Sequence, residues 1–487
     1  MTDEVKDKNQ EYYELGYKAS EEGNYELAIE YYKKAIEVMP NDADSYNSIG
    51  LALSRMGQYE DSIKYFDKCI ELFPKHYKAY KNKAMSYMDM GLNQLAKHEL
   101  EKYLKLHKND SNAYTLLGMI EFEEENNEKA INLYTKAIKI NGDLSERELA
   151  LVYQLRAKIY ENIGETKKAE KDFDEACRLC PLDYDMALDC VEFKIALKKY
   201  SQALDILDIM FTKHENDAYL YSKRAYANWF SGKNTNVFED YTKAIELDPE
   251  NSYYYEMRGM YLNDLDRYEE AISDFDKAIM YDSKNSGAYS SRGYAKCCLR
   301  RCREAILDCN SAINLDPQDY YGYIYRSFAE TDLGEYDKAI EDMNKVIELA
   351  PNDFKNYFFR ADNYRLKEDF DKAIEDYTTA IKMNPKDGLA YNYRGICKVY
   401  SGRIREGLWD LNKSLSLDSF NPEAYCYRGY TKNLLFMNKE ALADVAKSIR
   451  LEPNAAMPYF VKAVAHYHLG EYDEAEENLI KSQELEQ

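Results

Sequence analysis

The sequence is poor in the residues that characterise β-rich, disulfide-bonded and membrane-spanning proteins. Its 487 residues include only 20 Gly and 10 Pro, too few for the many tight turns of an all-β protein. Ten Cys are too sparse for a disulfide scaffold. No apolar run approaches the roughly 18–20 residues that a membrane span needs, and the first residues contain no apolar signal segment. We therefore expect a reduced, cytoplasmic protein with no membrane partner.

Positive charge is also scarce. The 65 Lys and Arg residues are outnumbered by 88 Asp and Glu, which gives a formal net charge of −23, and no local basic stripe offsets it. Such a surface repels a phosphate backbone, so we expect no nucleic-acid partner. It favours the approach of basic protein partners.

Tyrosine, in contrast, is abundant and regularly spaced. It recurs every 34 residues from Tyr12 to Tyr114, resumes at Tyr153 after a gap of 39, and recurs every 34 residues again from Tyr221 to Tyr459. With this Tyr as position 4, the chain divides into 14 units beginning at Asn9, Ala43, Tyr77, Ser111, Ala150, Tyr184, Ala218, Ser252, Ser286, Tyr320, Phe354, Gly388, Pro422 and Ala456. The predicted organisation is an N-terminal lead (1–8), units 1–4 (9–144), an insert (145–149), units 5 and 6 (150–217, the sixth degenerate) and units 7–14 (218–487).

Each unit has the pattern of two helices joined by a short turn. In the first unit, apolar residues follow helical spacing over residues 11–22 and 25–39, and Gly23 and Asn24 break the pattern. Small residues at positions 8 and 20 allow the two helices to approach closely, and an aromatic residue at position 24 fills the neighbouring space. Asp or Asn at position 34 is expected to cap the next helix. The predicted caps are Asp42, Asp110, Asn251, Asn285, Asp319, Asp353, Asp387 and Asn421.

The motif Tyr-x-x-Leu-Gly followed by Tyr-x-x-Ala-Ile-x-x-Tyr-x-x-Ala-Ile, from Tyr12 to Ile36, and then by Pro40, resembles the tetratricopeptide repeat. The resemblance covers essentially the whole chain, and its second half carries a Tyr-x-x-Arg-Gly variant. It implies an all-α fold, a right-handed superhelical solenoid of stacked antiparallel helix hairpins whose first helices line a concave groove. Each unit contacts mainly its neighbours in such a fold, so we expect one array rather than several globular domains.

Two positions vary together among the units. Arg at position 7 accompanies Asp at position 23 in eight units, and in an antiparallel hairpin these positions face each other. We therefore predict partly buried ion pairs, and expect Asp342→Ala to destabilise the fold by about 2–4 kcal/mol. The alternative, a ladder of Arg side chains that binds phosphates or carboxylates, is disfavoured because each Arg has its own acid. The pairs are Arg156–Asp172, Arg224–Asp240, Arg258–Asp274, Arg292–Asp308, Arg326–Asp342, Arg360–Asp376, Arg394–Asp410 and Arg428–Asp444.

The family resemblance also implies which side chains face the groove. In units 7–14 these positions are strongly aromatic, which suits a surface that holds an apolar segment of a partner. The other interpretation, that the rings pack between adjacent units, remains equally open. The candidate groove residues are Tyr219, Tyr226, Tyr253, Tyr294, Tyr321, Tyr325, Phe328, Phe358, Phe359, Tyr393, Tyr427 and Tyr430.

The resulting hypothesis is a non-catalytic scaffold that binds a peptide or helical segment of a partner protein. The alternative is a regulatory module that binds a small ligand or signal peptide and flexes near units 5 and 6. Asn82 matches one position of the clamp with which some tetratricopeptide domains hold chaperone C-termini, but the flanking units lack the rest. Leu479 and Ile480 in the last unit leave self-association open.

Residues for catalysis or metal binding are not arranged in a convincing pattern. The chain has no Gly-rich phosphate loop and no catalytic triad at meaningful spacing. Four cysteines of unit 9, Cys297, Cys298, Cys302 and Cys309, could in principle hold a metal ion. However, Cys309 occupies the aromatic position 24, which favours a role as a small buried side chain. We therefore expect no enzymatic activity, no cofactor and no bound metal.

Overall fold

The computed structural model describes residues 3–142 and 144–486, which form 28 α-helices and no β-strand. The chain divides into two compact units, residues 1–235 and residues 236–487. No helix of the described ranges is both long and apolar enough to cross a lipid bilayer. The all-α class expected from the sequence is thus confirmed.

The described part of the unit of residues 1–235 contains thirteen helices, and the first twelve pair as consecutive antiparallel hairpins. Each hairpin also contacts the next one along the chain. The helices are α1 (Asp3–Glu21), α2 (Tyr25–Val38), α3 (Ala43–Arg55), α4 (Tyr59–Leu72), α5 (Tyr77–Asp89), α6 (Asn93–Leu106), α7 (Ser111–Glu123), α8 (Asn127–Ile140), α9 (Glu146–Asn162), α10 (Thr166–Leu179), α11 (Tyr184–Ala196), α12 (Tyr200–Phe211) and α13 (Ala218–Phe230).

The unit of residues 236–487 begins with a single helix and continues with seven hairpins. These again pack in chain order. The helices are α14 (Val237–Leu247), α15 (Ser252–Asp264), α16 (Tyr268–Tyr281), α17 (Ser286–Cys298), α18 (Cys302–Leu315), α19 (Tyr320–Asp332), α20 (Tyr336–Leu349), α21 (Phe354–Leu366), α22 (Phe370–Met383), α23 (Gly388–Tyr400), α24 (Ile404–Leu417), α25 (Pro422–Leu434), α26 (Asn438–Leu451), α27 (Ala456–Leu469) and α28 (Tyr472–Glu486).

The glycine at position 8 lets the two helices of a hairpin close around an aromatic ring. A Cβ atom on Gly118 would lie 2.5 Å from the ring of Tyr134, which is fully buried. No ordinary packing tolerates that separation, so the ring occupies the volume that a side chain at position 8 would need. The same arrangement joins Gly16 to Tyr32, Gly50 to Phe66, and Gly259 to Phe275.

Asp and Asn side chains cap the N-termini of most of the first helices of the hairpins. The carboxylate of Asp110, for example, accepts a 2.7 Å hydrogen bond from the backbone N–H of Ala113 at the start of α7. Asp42 is an exception to the predicted capping role. Its carboxylate accepts hydrogen bonds from the side chains of Ser45 and Asn9 instead of from the helix backbone. The first and second hairpins are therefore joined by a side-chain contact at this point.

Within the insert of residues 145–149, Ser145 caps the ninth helix and the other four residues form its first turn. Ser145 and Glu148 form a reciprocal capping box, in which each side chain accepts a hydrogen bond from the other residue's backbone N–H. Helix α9 consequently runs from Glu146 to Asn162, longer than the usual 13 residues of a first helix.

Candidate functional site

Arginines at position 7 form two hydrogen bonds to the aspartate at position 23 of the same hairpin. In Arg394–Asp410, Nε and Nη2 donate to the two carboxylate oxygens at 2.9 and 2.7 Å. Two parallel bonds between a planar guanidinium and a carboxylate fix both distance and orientation. Seven such pairs lie within one or the other compact unit: Arg156–Asp172, Arg258–Asp274, Arg292–Asp308, Arg326–Asp342, Arg360–Asp376, Arg394–Asp410 and Arg428–Asp444.

The third nitrogen of each of these arginines reaches the second helix of the preceding repeat. Arg326 Nη1 donates to Asn310 Oδ1 at 2.5 Å, and Arg394 Nη1 donates to Thr378 Oγ1 at 3.1 Å. The acceptor always lies at position 25 of the preceding repeat, a role that sequence reasoning missed. It is Thr135, Thr242, Asp276, Asn310, Asn344, Thr378 or Asn412. These arginines therefore join adjacent hairpins, and their donors are directed at the protein rather than at a ligand.

Lysine at position 11 adds a second positive charge to three of the pairs. Lys398 Nζ lies 3.0 Å from Asp410 Oδ2, and the same contact joins Lys296 to Asp308 and Lys432 to Asp444. Asp410 itself is 0% exposed. A carboxylate buried to this extent requires compensation by several donors, which these repeats supply.

Repeat 10 has a glutamate, Glu330, at position 11, where repeats 9, 12 and 13 have lysine. Glu330 is 6% exposed, and its Oε2 has no hydrogen-bond partner. Burial, and then the charge of Asp342, raise the pKa of Glu330 to about 7. Sequence reasoning missed this residue, although a comparison of position 11 among the repeats would have revealed an acid in place of a base.

Seven of the predicted aromatic residues form a continuous surface on the first helices α17, α19, α21 and α23. We call this set the aromatic surface: Tyr294, Tyr321, Tyr325, Phe328, Phe358, Phe359 and Tyr393.

Ring contacts run along the aromatic surface without a break. Between hairpins, the ring centroids of Tyr294 and Tyr325 are 4.9 Å apart, and those of Phe328 and Phe359 are 5.0 Å apart. Phe358 then lies 6.0 Å from Tyr393 in the following hairpin. Within hairpins, the centroids of neighbouring rings are between 5.9 and 6.3 Å apart. These separations are typical of interacting aromatic rings.

The rings of the aromatic surface contribute both to packing and to the exposed surface. Tyr321 is 48% exposed, whereas the other six members are half-buried. Phe358 also contacts the fully buried Tyr377 of the second helix, with ring centroids 5.5 Å apart. Half-buried rings held by their neighbours are already ordered, so they lose little conformational entropy when something binds over them.

Of the other candidate rings, Tyr427 and Tyr430 pack against the same buried cluster as Tyr393. Tyr427 and Tyr430 of α25 contact Tyr400, with centroid distances of 6.5 and 6.4 Å. Tyr253 is exposed on α15, beside Tyr254.

Tyr219 and Tyr226 belong to the unit of residues 1–235. The hydroxyl of Tyr219 donates to Glu192 at 2.6 Å, and Tyr226 packs against Phe230.

Charged side chains border the aromatic surface at its C-terminal end. The guanidinium of Arg365 lies 4.8 Å from the ring centroid of Tyr393, and it donates hydrogen bonds of 2.8 and 2.6 Å to Asp362. Glu423 accepts a 2.9 Å hydrogen bond from Asn392, and burial raises the pKa of its carboxyl. With two acids to one base, the border is net acidic when Glu423 is ionised.

Comparison with known families identifies one repeat type in several segments of the chain. Profiles described as Tetratricopeptide repeat match residues 43–76, 81–144, 150–181, 240–273, 326–353 and 354–387, and one described as TPR repeat matches residues 16–57. Together these segments span more than half of the chain. No curated protein matches the sequence.

Three solved structures illustrate what the chain is similar to. A chain of the APC/C hetero-tetramer Cut9-Hcn1 is 14% identical, with 94% of this chain and 96% of that chain covered and a TM-score of 0.47. Yeast Tom70 is 20% identical over 98% of this chain and 96% of its own, with a TM-score of 0.37. YrrB, whose structure is titled as a TPR protein with an unusual peptide-binding site, is 21% identical over 38% of this chain and 96% of its own, with a TM-score of 0.33.

Proposed function

The chain belongs to the tetratricopeptide repeat family, and from this premise we propose that it is a non-catalytic scaffold whose aromatic surface binds a segment of a partner protein. The observation that carries the proposal is the unbroken run of half-buried rings across four first helices, with Tyr321 exposed beside it. Large, rigid aromatic side chains dominate the binding energy of many protein interfaces.

The extent of the aromatic surface sets the length of the segment that it would hold. Neighbouring packed helices lie roughly 8–10 Å apart, so four first helices span about 25–30 Å. An extended segment of about 8 or 9 residues covers this distance, as does a helix of about 17–20 residues. Apolar or aromatic side chains of the segment would contact Tyr325, Phe328 and Phe359.

The charge of the border favours a segment with a basic residue. Asp362 is hydrogen-bonded to Arg365, whereas Glu423 is hydrogen-bonded to the neutral amide of Asn392 and interacts with Arg365 only through its charge. A lysine or arginine that pairs with Glu423 would lower the pKa that burial has raised, and would offset the cost of that burial. We therefore propose an apolar segment that places a basic side chain near Tyr393.

Selection from a displayed peptide library tests the proposal. The intact chain serves as bait, and the affinity of each selected peptide is then measured for the wild type, Tyr321→Ala and Phe359→Ala. We expect each substitution to weaken binding by about tenfold, or about 1.4 kcal/mol. Glu423→Gln should lower the affinity only for those peptides that carry a basic residue.

Trp409→Ala is the matched control. Trp409 is an aromatic residue that is 59% exposed, but it lies on α24, the second helix of its hairpin, away from the aromatic surface. The proposal would be contradicted if the selected peptides bound Tyr321→Ala and Phe359→Ala as tightly as they bind the wild type. An equal loss of affinity in Trp409→Ala would contradict it as well.

A further inference from the structure

We propose that Cys297, Cys302 and Asp332 form a binding site for one thiophilic divalent cation of the zinc class, which joins repeats 9 and 10. The residues come from three helices. Cys297 lies in the last turn of α17, Cys302 is the first residue of α18, and Asp332 is the last residue of α19. The turn of one hairpin and the following hairpin thus meet at this point.

The ligand atoms are already close to the geometry that such an ion requires. The two sulfurs and a carboxylate oxygen all lie within 4.8 Å of one another, and Cys302 Sγ lies 3.8 Å from Asp332 Oδ2. A tetrahedral zinc site with bonds of about 2.3 Å to sulfur and about 2.0–2.2 Å to oxygen has ligand–ligand distances of roughly 3.3–3.8 Å. Small adjustments of side-chain torsions therefore suffice to close the site.

The three residues supply the types of ligand that zinc prefers, and they leave one position open. Both thiols are buried, whereas Asp332 reaches solvent, so a water molecule can complete a tetrahedron on the exposed side. Binding releases one proton from each thiol and forms two metal–sulfur bonds and one metal–oxygen bond. The occupied site would carry a net charge of −1, from two thiolates, one carboxylate and a divalent ion. Arg300 lies 2.8 Å from Asp332 and offsets this charge.

The alternative, that these cysteines serve only as small apolar side chains, explains Cys309 better than the other two. Cys309 fills the position of the usual aromatic ring, where its sulfur lies against Gly293. Cys302 instead directs its thiol at a carboxylate, a contact that apolar packing does not require. Among the 14 repeats, cysteine occurs at position 12 or position 17 only in repeat 9, and both positions carry it there.

The four cysteines of repeat 9, taken alone, favour an apolar role because the sequence pattern does not place an acid beside them. The third ligand belongs to the next repeat, 30 residues beyond Cys302.

Titration of the reduced, full-length chain with Co²⁺, and with Zn²⁺ in competition with a chromogenic chelator, tests the proposal. We expect one ion per chain, with the visible absorption of tetrahedral Co²⁺ and a thiolate-to-metal charge-transfer band. Cys297→Ser and Cys302→Ser should each abolish both absorptions. Asp332→Asn should weaken binding on the order of tenfold or more, because a neutral amide oxygen is a poorer ligand than a carboxylate.

The chain contains its own controls. Cys298→Ser and Cys309→Ser alter cysteines of the same repeat. The double variant of Cys177 and Cys180 removes the lone Cys-x-x-Cys pair of repeat 5. All three variants should bind the ion as the wild type does. Circular dichroism establishes that each variant is folded. The proposal is overturned if no ion binds, or if the cobalt absorptions persist in Cys302→Ser or disappear in the Cys177/Cys180 variant. It is equally overturned if the reduced chain retains a Cys297–Cys302 disulfide, recognised by a mass lower by two hydrogens.

Discussion

Glu330 is the position where a small change should alter stability in a pH-dependent way. It occupies the place of Lys296, Lys398 and Lys432 in other repeats, but it adds negative charge beside the Arg326–Asp342 pair. Replacing it with glutamine keeps the size of the side chain and removes the charge. Glu330→Gln should therefore stabilise the protein at neutral and alkaline pH, and have little effect in acid.

The magnitude follows from the pKa of Glu330, which is raised from 4.5 to about 7 in the folded protein. Because the folded state holds the proton more tightly than the unfolded state, the stabilising contribution of the protonated form is complete below pH 4.5. It is lost as the pH rises to about 7. At about 1.4 kcal/mol per pH unit, the loss is at most about 3.5 kcal/mol, and relaxation of the site reduces the expected value to about 2 kcal/mol.

The assay compares wild type and Glu330→Gln in urea between pH 4.5 and 8.5. Because a long repeat array does not always unfold in one step, amide hydrogen exchange in α19 and α20 provides the local free energy. Glu330→Lys tests the same reasoning with the residue of the other repeats, and should remove the pH dependence. Glu341→Gln is the control, since Glu341 is exposed on α20 next to Asp342. The reasoning would be refuted if the free energy of unfolding changed with pH in the same way in the wild type and in Glu330→Gln.

Two further substitutions test what holds the hairpins together. Asp410→Ala should destabilise the protein by about 3–5 kcal/mol in urea unfolding, because it leaves the charge of Arg394 buried without its acid and removes the closer of the two acids beside Lys398. Gly118→Ala should cost about 1–3 kcal/mol, because its Cβ would overlap the enclosed ring of Tyr134, and hydrogen exchange in α7 and α8 would report the loss.

Each of these substitutions has a counterpart elsewhere in the chain. Asp342→Ala should cost about 2 kcal/mol, at the low end of the range expected from sequence, because Glu330 can take over as the partner of Arg326. Equal losses for Asp342→Ala and Asp410→Ala would contradict the role given to Glu330. The Cβ added by Gly388→Ala would lie no closer than 3.6 Å to any atom. This substitution should therefore leave stability unchanged or raise it by up to about 1 kcal/mol. A comparable loss in both glycine variants would argue against the ring overlap.

Features confined to one hairpin were largely predictable from the sequence. Gly118 and Tyr134, or Arg394 and Asp410, are separated by 16 residues, and the same separation recurs from repeat to repeat. Because the two helices of a hairpin are joined by a short turn, their relative register follows from chain geometry, and positions 7 and 23 must face each other. The aromatic residues of the first helices were predictable in the same way, although their contacts with one another were not.

The amino-acid sequence by itself determined the all-α class, the hairpin unit and its tandem repetition, because each is encoded by local periodicity and repeated 14 times. The tertiary structure decided the contacts between hairpins: the hydrogen bond from Arg326 to Asn310, the run of rings, and the approach of Asp332 to Cys302. Such contacts depend on how one hairpin is rotated against the next. Where a contact occurs only once, as between Cys302 and Asp332, it leaves no periodic trace in the sequence, and only the packing of neighbouring repeats reveals it.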